Sequence, residues 1–129
     1  MLNDPLANLM SMILNSESIG KSELLIKPVS KVMKELLKVM KENGYILDFK
    51  EVEDSRGNYI LLTLTGSVNK CGVIKPRYSV KNNDSEKFER RYLPAKDIGI
   101  IFVSTPSGIM THYEAKSKKI GGRLLAYCY

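Results

Sequence analysis

The stretch that decides the fold is VSKVMKELLKVMKENGYILDFKEVEDSRGNYILLTLT, residues 29–65. Its first part carries apolar residues at helical spacing, which predicts a helix that begins at Pro28 or Ser30 and ends at Gly44. Its second part holds two runs rich in β-branched and aromatic residues, 45–52 and 59–65, separated by the turn signal DSRGN. A helix followed by such a hairpin is typical of helices packed on a small sheet.

The predicted helix has an apolar face and a basic face. We expect the apolar face to be buried, and it consists of Val29, Val32, Met33, Leu36, Leu37 and Met40. The basic face carries Lys31, Lys34, Lys38 and Lys41, diluted by Glu35 and Glu42. Most of this face is interpreted as ordinary solvated surface. Lys27 and Lys31 are better candidates for phosphate contact, because exposed helical N–H groups at that end already favour anions.

Outward from this stretch, the chain divides into two predicted modules. Asp4 as N-cap and Pro5 at the first helical position predict a first helix, which should end near Asn15–Ser16. Residues 24–26 are interpreted as an edge strand. Gly66 and Ser67 mark a change of composition, which predicts an N-terminal α/β module over 1–66 and a C-terminal module over 67–129.

The second module is predicted to be mainly β with one short helix. Thr111 and Glu114 form a capping box, so the short helix is expected from His112 to about Lys118. The β-rich segments are 68–81, interrupted by Pro76, then 88–93, 98–104 and 123–128. The fold class predicted for the whole chain is therefore α+β, in two small modules.

The positive charge belongs to the second module. The formal net charge is +6, and residues 67–129 hold 12 of the 20 lysines and arginines but only five of the 14 acidic residues. This distribution favours an anionic partner. The basic residues predicted to contact phosphates are Lys75, Arg77, Lys81, Arg90 and Arg91.

The sequence lacks the residue patterns that several classes of protein require. Cys71 and Cys128 are far apart and show neither a disulfide framework nor the clustered ligands of a zinc site, so we expect no metal and no cofactor. We find no Walker A loop and no dinucleotide fingerprint, and no catalytic residue is assigned. Neither a signal peptide nor an apolar run of roughly 20 residues is recognised, so no membrane contact and a reducing, aqueous compartment are expected.

One loop is dense in small hydroxyl side chains: Ser104, Thr105 and Ser107 precede Gly108. In one interpretation the hydroxyls satisfy backbone groups of a turn that leads into the capped helix. In the other they approach a nucleobase or a 2′-hydroxyl closely, as in RNA recognition at irregular helices. Two alternatives to a purely structural RNA-binding role stay open. One is a messenger-RNA regulator, and the other is a small serine hydrolase using Ser104 or Ser107 with His112.

The stretch from Asp97 to Tyr127, DIGIIFVSTPSGIMTHYEA through IGGRLLAY, resembles the signature region of the small-subunit ribosomal protein eight family. DPLA at 4–7, KPVSK at 27–31 and ENGY at 42–45 resemble the family's first module. The resemblance implies a two-module, non-enzymatic protein that binds a helix in the central domain of small-subunit ribosomal RNA early in assembly. It also implies that Ser104, Thr105, Ser107 and Gly108 form the main RNA-reading loop, with auxiliary contacts from Ser30 and Lys31.

The chain departs from many bacterial members at two places. Pro106-Ser107 stands where they have Ser-Lys, which removes a hydroxyl contact at 106, and Arg123 stands where they carry Glu. The 82–91 stretch and the aromatic ending at Tyr129 resemble the archaeal and eukaryotic branch. The expected partners are small-subunit ribosomal RNA, neighbouring small-subunit ribosomal proteins and its own messenger RNA. Outside the ribosome we expect a cytoplasmic monomer.

Overall fold

A computed structural model of the chain describes residues 5–26, 31–53, 55, 57–75, 77–81, 85–95 and 98–129. The chain divides into two compact units, Met1–Asn69 and Lys70–Tyr129, here called unit 1 and unit 2. Across the described residues, helices combine with antiparallel sheets, which confirms the predicted α+β class.

Unit 1 is a three-stranded antiparallel sheet with helices packed on it. In chain order its elements are α1 (Pro5–Ile19), β1 (Glu23–Ile26), α2 (Lys31–Glu42), β2 (Ile46–Val52) and β3 (Tyr59–Leu64). The strand order is β1-β3-β2, so β1 is an edge strand as predicted. Helix α1 contacts β1 and α2 contacts β2. Gly44, with φ +80°, supplies the left-handed residue after α2.

The buried face of α2 differs in part from the prediction. Met33, Leu36, Leu37 and Met40 are buried as expected, and Val29 lies outside the described residues. Val32 was predicted to be buried, but it is 43% exposed, whereas Val39 is 6% exposed. These two residues lie seven positions apart, on the same side of a helix with 3.6 residues per turn. The core therefore covers this side of α2 near its C-terminal end and leaves Val32 exposed in the first turn.

Helix α1 is one turn longer than predicted, because it continues to Ile19. The polar residues that suggested an earlier end are accommodated within the helix. Ser16 is buried, and the Ser18 hydroxyl donates a hydrogen bond to the Asn15 carbonyl oxygen at 2.9 Å. Back-bonding of this kind lets a serine remain in a helix.

Unit 2 is built around one long strand. Its elements are β4 (Cys71–Val73), β5 (Ser79–Val80), α3 (Ser85–Tyr92), β6 (Ile100–Thr105), β7 (Gly108–Thr111), α4 (His112–Ser117) and β8 (Gly122–Cys128). Strand β8 pairs with β6 along one side, and on its other side β4 and β5 pair with opposite ends of it. The core beneath the sheet contains Ile74, Val80, Phe88, Leu93, Ile101, Val103 and Leu124.

The structure of the 88–93 segment differs from the one predicted from the sequence. It was assigned to the β-rich part of the module, but it lies in helix α3 and the turn after it, so the described part of unit 2 has two helices. Phe88 and Leu93 are buried, while Arg90 and Arg91 are exposed. Phe88 and Tyr92 stand four residues apart, which places both aromatic rings on one helix face. That spacing fits a helix as well as a strand, and only the core decides between them.

Strand β7 was also not predicted. The segment after Ser107 was interpreted as a loop running into a helix, but residues 108–111 pair with β6 as a hairpin. The helix itself begins as predicted. Thr111 caps α4, and its hydroxyl accepts a hydrogen bond from the Glu114 N–H at 3.2 Å. The strand has only four residues and lies between a glycine and a capping box, which are signals for a loop and for a helix start, so the sequence did not indicate it.

Candidate RNA-binding surface

The hydroxyl-rich segment forms the tip of the β6–β7 hairpin. Thr105 and Gly108 are the last paired residues, and Pro106 and Ser107 make the turn between them. Proline holds its φ near −65°, which excludes the primed turns that usually close two-residue hairpins. Gly108 has φ +112°, a value that side chains rarely adopt. A glycine at position 108 therefore lets the chain return to the sheet after the Pro106-Ser107 turn.

Thr105 is held inside this hairpin. Its side chain is 9% exposed, and its hydroxyl donates a hydrogen bond to the Gly108 carbonyl oxygen at 2.8 Å. The Thr105 hydroxyl oxygen also accepts a hydrogen bond from the Ser107 N–H at 3.2 Å. A hydroxyl has one proton and two lone pairs, so only one lone pair remains. Thr105 thus shapes the tip, while Ser104 and Ser107 are the exposed hydroxyls.

Ser104 is one member of a row that crosses the sheet. It lies opposite Arg123 of β8, which lies opposite Ser79 of β5. Directly opposed residues of antiparallel strands project from the same face. All three are exposed. The row therefore presents one guanidinium between two hydroxyls to solvent, which is a combination suited to phosphate and ribose.

A shallow groove of about 610 Å³ adjoins this row. It is lined by Ser79, Val80, Lys81, Pro106, Gly121, Gly122 and Arg123. The two glycines let three strands come close together. A Cβ at Gly121 would lie 2.7 Å from the Val80 carbonyl oxygen, and one at Gly122 would collide with the Ser104 carbonyl oxygen. The groove thus brings the hairpin tip together with Lys81 and Arg123.

The other predicted phosphate-contacting residues of unit 2 lie at separate positions. Lys75 and Arg77 are exposed between β4 and β5. Arg91 lies over the ring of Tyr78, with 5.9 Å from its guanidinium carbon to the ring centroid. Arg90 lines a second concavity, of about 400 Å³, together with Glu86 and Glu89. These acids dilute the positive charge around Arg90. Of the five basic residues predicted to contact phosphates, Lys81 is the one that lines the groove.

In unit 1, Lys31 is exposed at the start of α2, and Ser30 lies outside the described residues. Two other lysines of α2 are engaged by strand β2. Lys34 lies 2.7 Å from Glu51 and Lys41 lies 3.0 Å from Asp48. These contacts account for half of the predicted basic stripe as ordinary helix-to-sheet ion pairs.

Comparison with protein-family models gives a match to the family described as Ribosomal protein S8, over residues 4–129. The match spans both units, including the β6–β7 hairpin and the groove. The chain belongs to the ribosomal protein S8 family. It is accordingly a ribosome-associated protein of the small subunit that binds ribosomal RNA and lies among neighbouring ribosomal proteins.

Ribosomal protein S8 is a structural component of the ribosome rather than an enzyme. The environment of His112 agrees with that role. Its ring is 1% exposed, Nδ1 accepts a hydrogen bond from the Ile101 N–H at 3.0 Å, and Nε2 lies 3.2 Å from Glu89 Oε1. Nδ1 is thus occupied by a backbone hydrogen bond, and Nε2 lies beside a carboxylate oxygen. The arrangement does not support the serine-hydrolase alternative, which needs an imidazole beside the serine.

Within the described ranges of the chain, no helix is both long and apolar enough to cross a membrane. Those ranges also hold no group of three or more histidine, cysteine, aspartate or glutamate side chains arranged to bind a metal ion.

Of the residues that line the groove of this ribosomal protein S8 chain, sequence reasoning selected only Lys81 as an RNA contact, and it missed Ser79, Arg123 and the two glycines. Arg123 was noted only as a departure from an acidic residue, and Gly121 and Gly122 only as a turn. A signal was present for Arg123, because it is the only charged residue in the apolar run from 120 to 129. No comparable signal existed for the glycines, since their role is a close approach to strands distant in the sequence.

Proposed function

We propose that this protein binds a helix in the central domain of small-subunit ribosomal RNA directly and early in assembly. The hairpin tip and the adjoining groove form the reading surface. Ser104 and Ser107 contact a base edge or a 2′-hydroxyl, Gly108 allows the RNA to come close, and Thr105 holds the tip in shape. Lys81 and Arg123 neutralise phosphates across the groove.

The observation that carries this proposal is the groove itself. It places Lys81, Arg123, Ser79 and the tip of the β6–β7 hairpin around one concavity. Lys75, Arg77, Arg90 and Arg91 add affinity from outside it, and Ser30 and Lys31 make auxiliary contacts from unit 1. The protein is a cytoplasmic monomer before it joins the particle. The 82–91 stretch and Tyr129 favour the archaeal and eukaryotic branch of the family.

The direct test is a titration against fragments of small-subunit ribosomal RNA, with a regular duplex of equal length for comparison. We expect saturable binding to one central-domain fragment that persists at raised salt, because base and ribose contacts do not depend on counterion release. Binding of similar strength to every fragment and to the duplex, all lost at raised salt, would refute a specific site.

Ser107→Ala tests the reading role of the tip. Ser11→Ala is the matched control, since Ser11 is an exposed serine on α1 in unit 1. We expect the tip variant to lose affinity for the cognate fragment only, and the control to lose none. A segment of the protein's own messenger RNA, added as competitor at equal concentration, shows whether the same surface serves autoregulation.

A further inference from the structure

The fold brings together two cysteines that are far apart in the sequence. Cys71 of β4 lies directly opposite Cys128 of β8 in the antiparallel register. Both side chains are buried, at 4% and 0% exposure, and both are thiols rather than a disulfide. Spacing along the chain had argued against any pairing, because register between distant strands is not visible in it.

The backbone hydrogen bonds identify the kind of pair. The neighbouring residues Lys70 and Tyr129 exchange both of their backbone hydrogen bonds, at 2.9 and 2.8 Å. Hydrogen-bonded and non-hydrogen-bonded pairs alternate along an antiparallel ladder. Cys71 and Cys128 are therefore a non-hydrogen-bonded pair, the type in which opposed side chains come closest.

This geometry matches what a disulfide requires. Opposed Cα atoms of a non-hydrogen-bonded pair are about 4.5 Å apart, and disulfides join Cα atoms separated by about 4.4–6.8 Å. Both thiols also project from one face of the sheet, because directly opposed residues do. The bond can therefore form without moving either strand far.

We propose that Cys71 and Cys128 form a redox-modification site, which a low-molecular-mass disulfide such as oxidised glutathione converts into an intramolecular disulfide. One cysteine, as its thiolate, attacks a sulfur of the small disulfide, joins that sulfur and releases one small thiol. The second cysteine then attacks the protein-side sulfur and releases the other small thiol. The two protein thiols are oxidised, the small disulfide is reduced to two thiols, and the two protons pass to those thiols.

The position of Cys71 determines how the reaction starts. Strand β4 has three residues and, among the described elements, pairs with β8 alone. Short edge strands open locally far more readily than central ones. Opening of β4 exposes Cys71 for the first attack, and reclosing returns the mixed disulfide to Cys128. The glutathione adduct is consequently short-lived, and the intramolecular disulfide accumulates.

Oxidation is expected to stabilise unit 2 without altering its RNA-binding surface. The disulfide cross-links two distant positions and so restricts the unfolded chain. The disulfide lies at the Cys128 end of β8, whereas the groove is lined by Gly122 and Arg123 at the other end of the strand. The inference therefore does not depend on the proposed function.

The test uses the full chain, incubated with oxidised glutathione under native conditions and then treated with an alkylating reagent after unfolding. We expect both thiols to be lost together, and the mass of the intact protein to fall by two hydrogen atoms. After proteolysis, the peptide with Cys71 should be found linked to the peptide with Cys128. Adding a reductant should restore both thiols. The oxidised protein should unfold at a higher temperature than the reduced one.

Three results would overturn the proposal. They are a lasting glutathione adduct on one cysteine beside an intact second thiol, a disulfide between two chains, and two thiols that survive prolonged incubation. Cys71→Ala and Cys128→Ala are supporting variants, in which the remaining cysteine should keep any adduct because no second thiol can release it. The wild-type mass measurement decides the question even if a variant fails to fold.

Discussion

At the scale of single residues, Thr105 is bound into the hairpin tip by its own hydroxyl group. Its hydroxyl bonds two backbone groups of the hairpin tip, and its exposure is small. The two interpretations of the loop are therefore divided among its residues. Thr105 satisfies the turn, and Ser104 and Ser107 remain exposed toward solvent.

Thr105→Val tests this division. The change keeps the shape of the side chain but removes both hydrogen bonds, and we expect it to destabilise the protein by about 1–3 kcal/mol. RNA affinity should fall as well, because the tip loses its fixed geometry. Thr105→Ser keeps the hydroxyl and should restore both properties. Chemical denaturation and RNA titration of the two variants measure the effects, and equal behaviour of valine and serine would contradict the assignment.

Gly122→Ala tests the close approach of β8 to β6. Its Cβ would collide with the Ser104 carbonyl oxygen, which belongs to the backbone and cannot turn aside. We expect a loss of stability of about 1–3 kcal/mol or more, as for other overpacked sites. Arg123→Ala is the adjacent control, since it removes an exposed side chain. Thermal unfolding should separate the two, and an unchanged midpoint for Gly122→Ala would contradict the packing described.

At the scale of elements, Glu89 connects the two helices of unit 2. It is on α3, and its Oε1 contacts both Lys116 and the buried His112 of α4. Helix α3 thus reaches α4 by a polar contact and the hydrophobic core by Phe88, while Leu93 joins that core just after the helix ends. A helix allows Glu89 and Phe88 to make both contacts, because adjacent helical residues point in different directions.

Glu89→Ala should weaken this connection. It leaves a buried imidazole and a half-buried ammonium group without the carboxylate, for an expected cost of about 1–3 kcal/mol. Glu86→Ala removes the same charge from an exposed position on the same helix and should cost much less. The two denaturation midpoints give the comparison. Equal midpoints would mean that the contact contributes nothing to stability.

The ion pairs between α2 and β2 predict a pH dependence of unit 1. A hydrogen bond from Lys41 lowers the pKa of Asp48, and one from Lys34 lowers the pKa of Glu51. A carboxyl group whose pKa is lower in the folded state binds fewer protons there, so its contribution is present at neutral pH and is lost as the pH falls through its folded pKa. Both groups are exposed, so the effect is expected to be small.

The measurement is thermal unfolding of the wild type and of Asp48→Asn from neutral to acidic pH. The wild type should lose its small advantage over the variant as Asp48 becomes protonated. Added salt should reduce the difference, because the pair is screened. A difference that grows toward low pH would contradict the direction of the pKa shift.

At the scale of the whole molecule, the two units differ in charge. Unit 1 carries ion pairs that neutralise part of its lysine stripe, and unit 2 carries the excess positive charge and the groove. Long-range attraction to an anionic partner therefore falls mainly to unit 2, and this division is testable through the salt dependence of binding.

Arg123→Ala and Lys81→Ala should each reduce affinity for every RNA and lower the salt slope by about one, because each removes one phosphate contact. Lys50→Ala is the matched control, as an exposed lysine of unit 1 with the same change of charge. It should leave the slope unchanged. Equal slopes for all three variants would show that only total charge matters and that the groove has no special role.

Much of this protein was determined by its sequence alone. The α2 helix, the β2–β3 hairpin and the cap of α4 rest on local signals, namely apolar spacing, turn residues and Thr111 with Glu114, and these act within a few residues. The family resemblance also lay in the sequence, and the comparison confirms it.

Only the tertiary structure decided the rest, because it depends on contacts between segments distant in the chain. Packing against the sheet made 88–92 helical, and pairing with β6 made 108–111 a strand. Strand register placed Arg123 between Ser79 and Ser104, and Cys71 opposite Cys128. A sequence records which residues are adjacent along the chain, whereas register and close approach between strands are properties of the folded backbone.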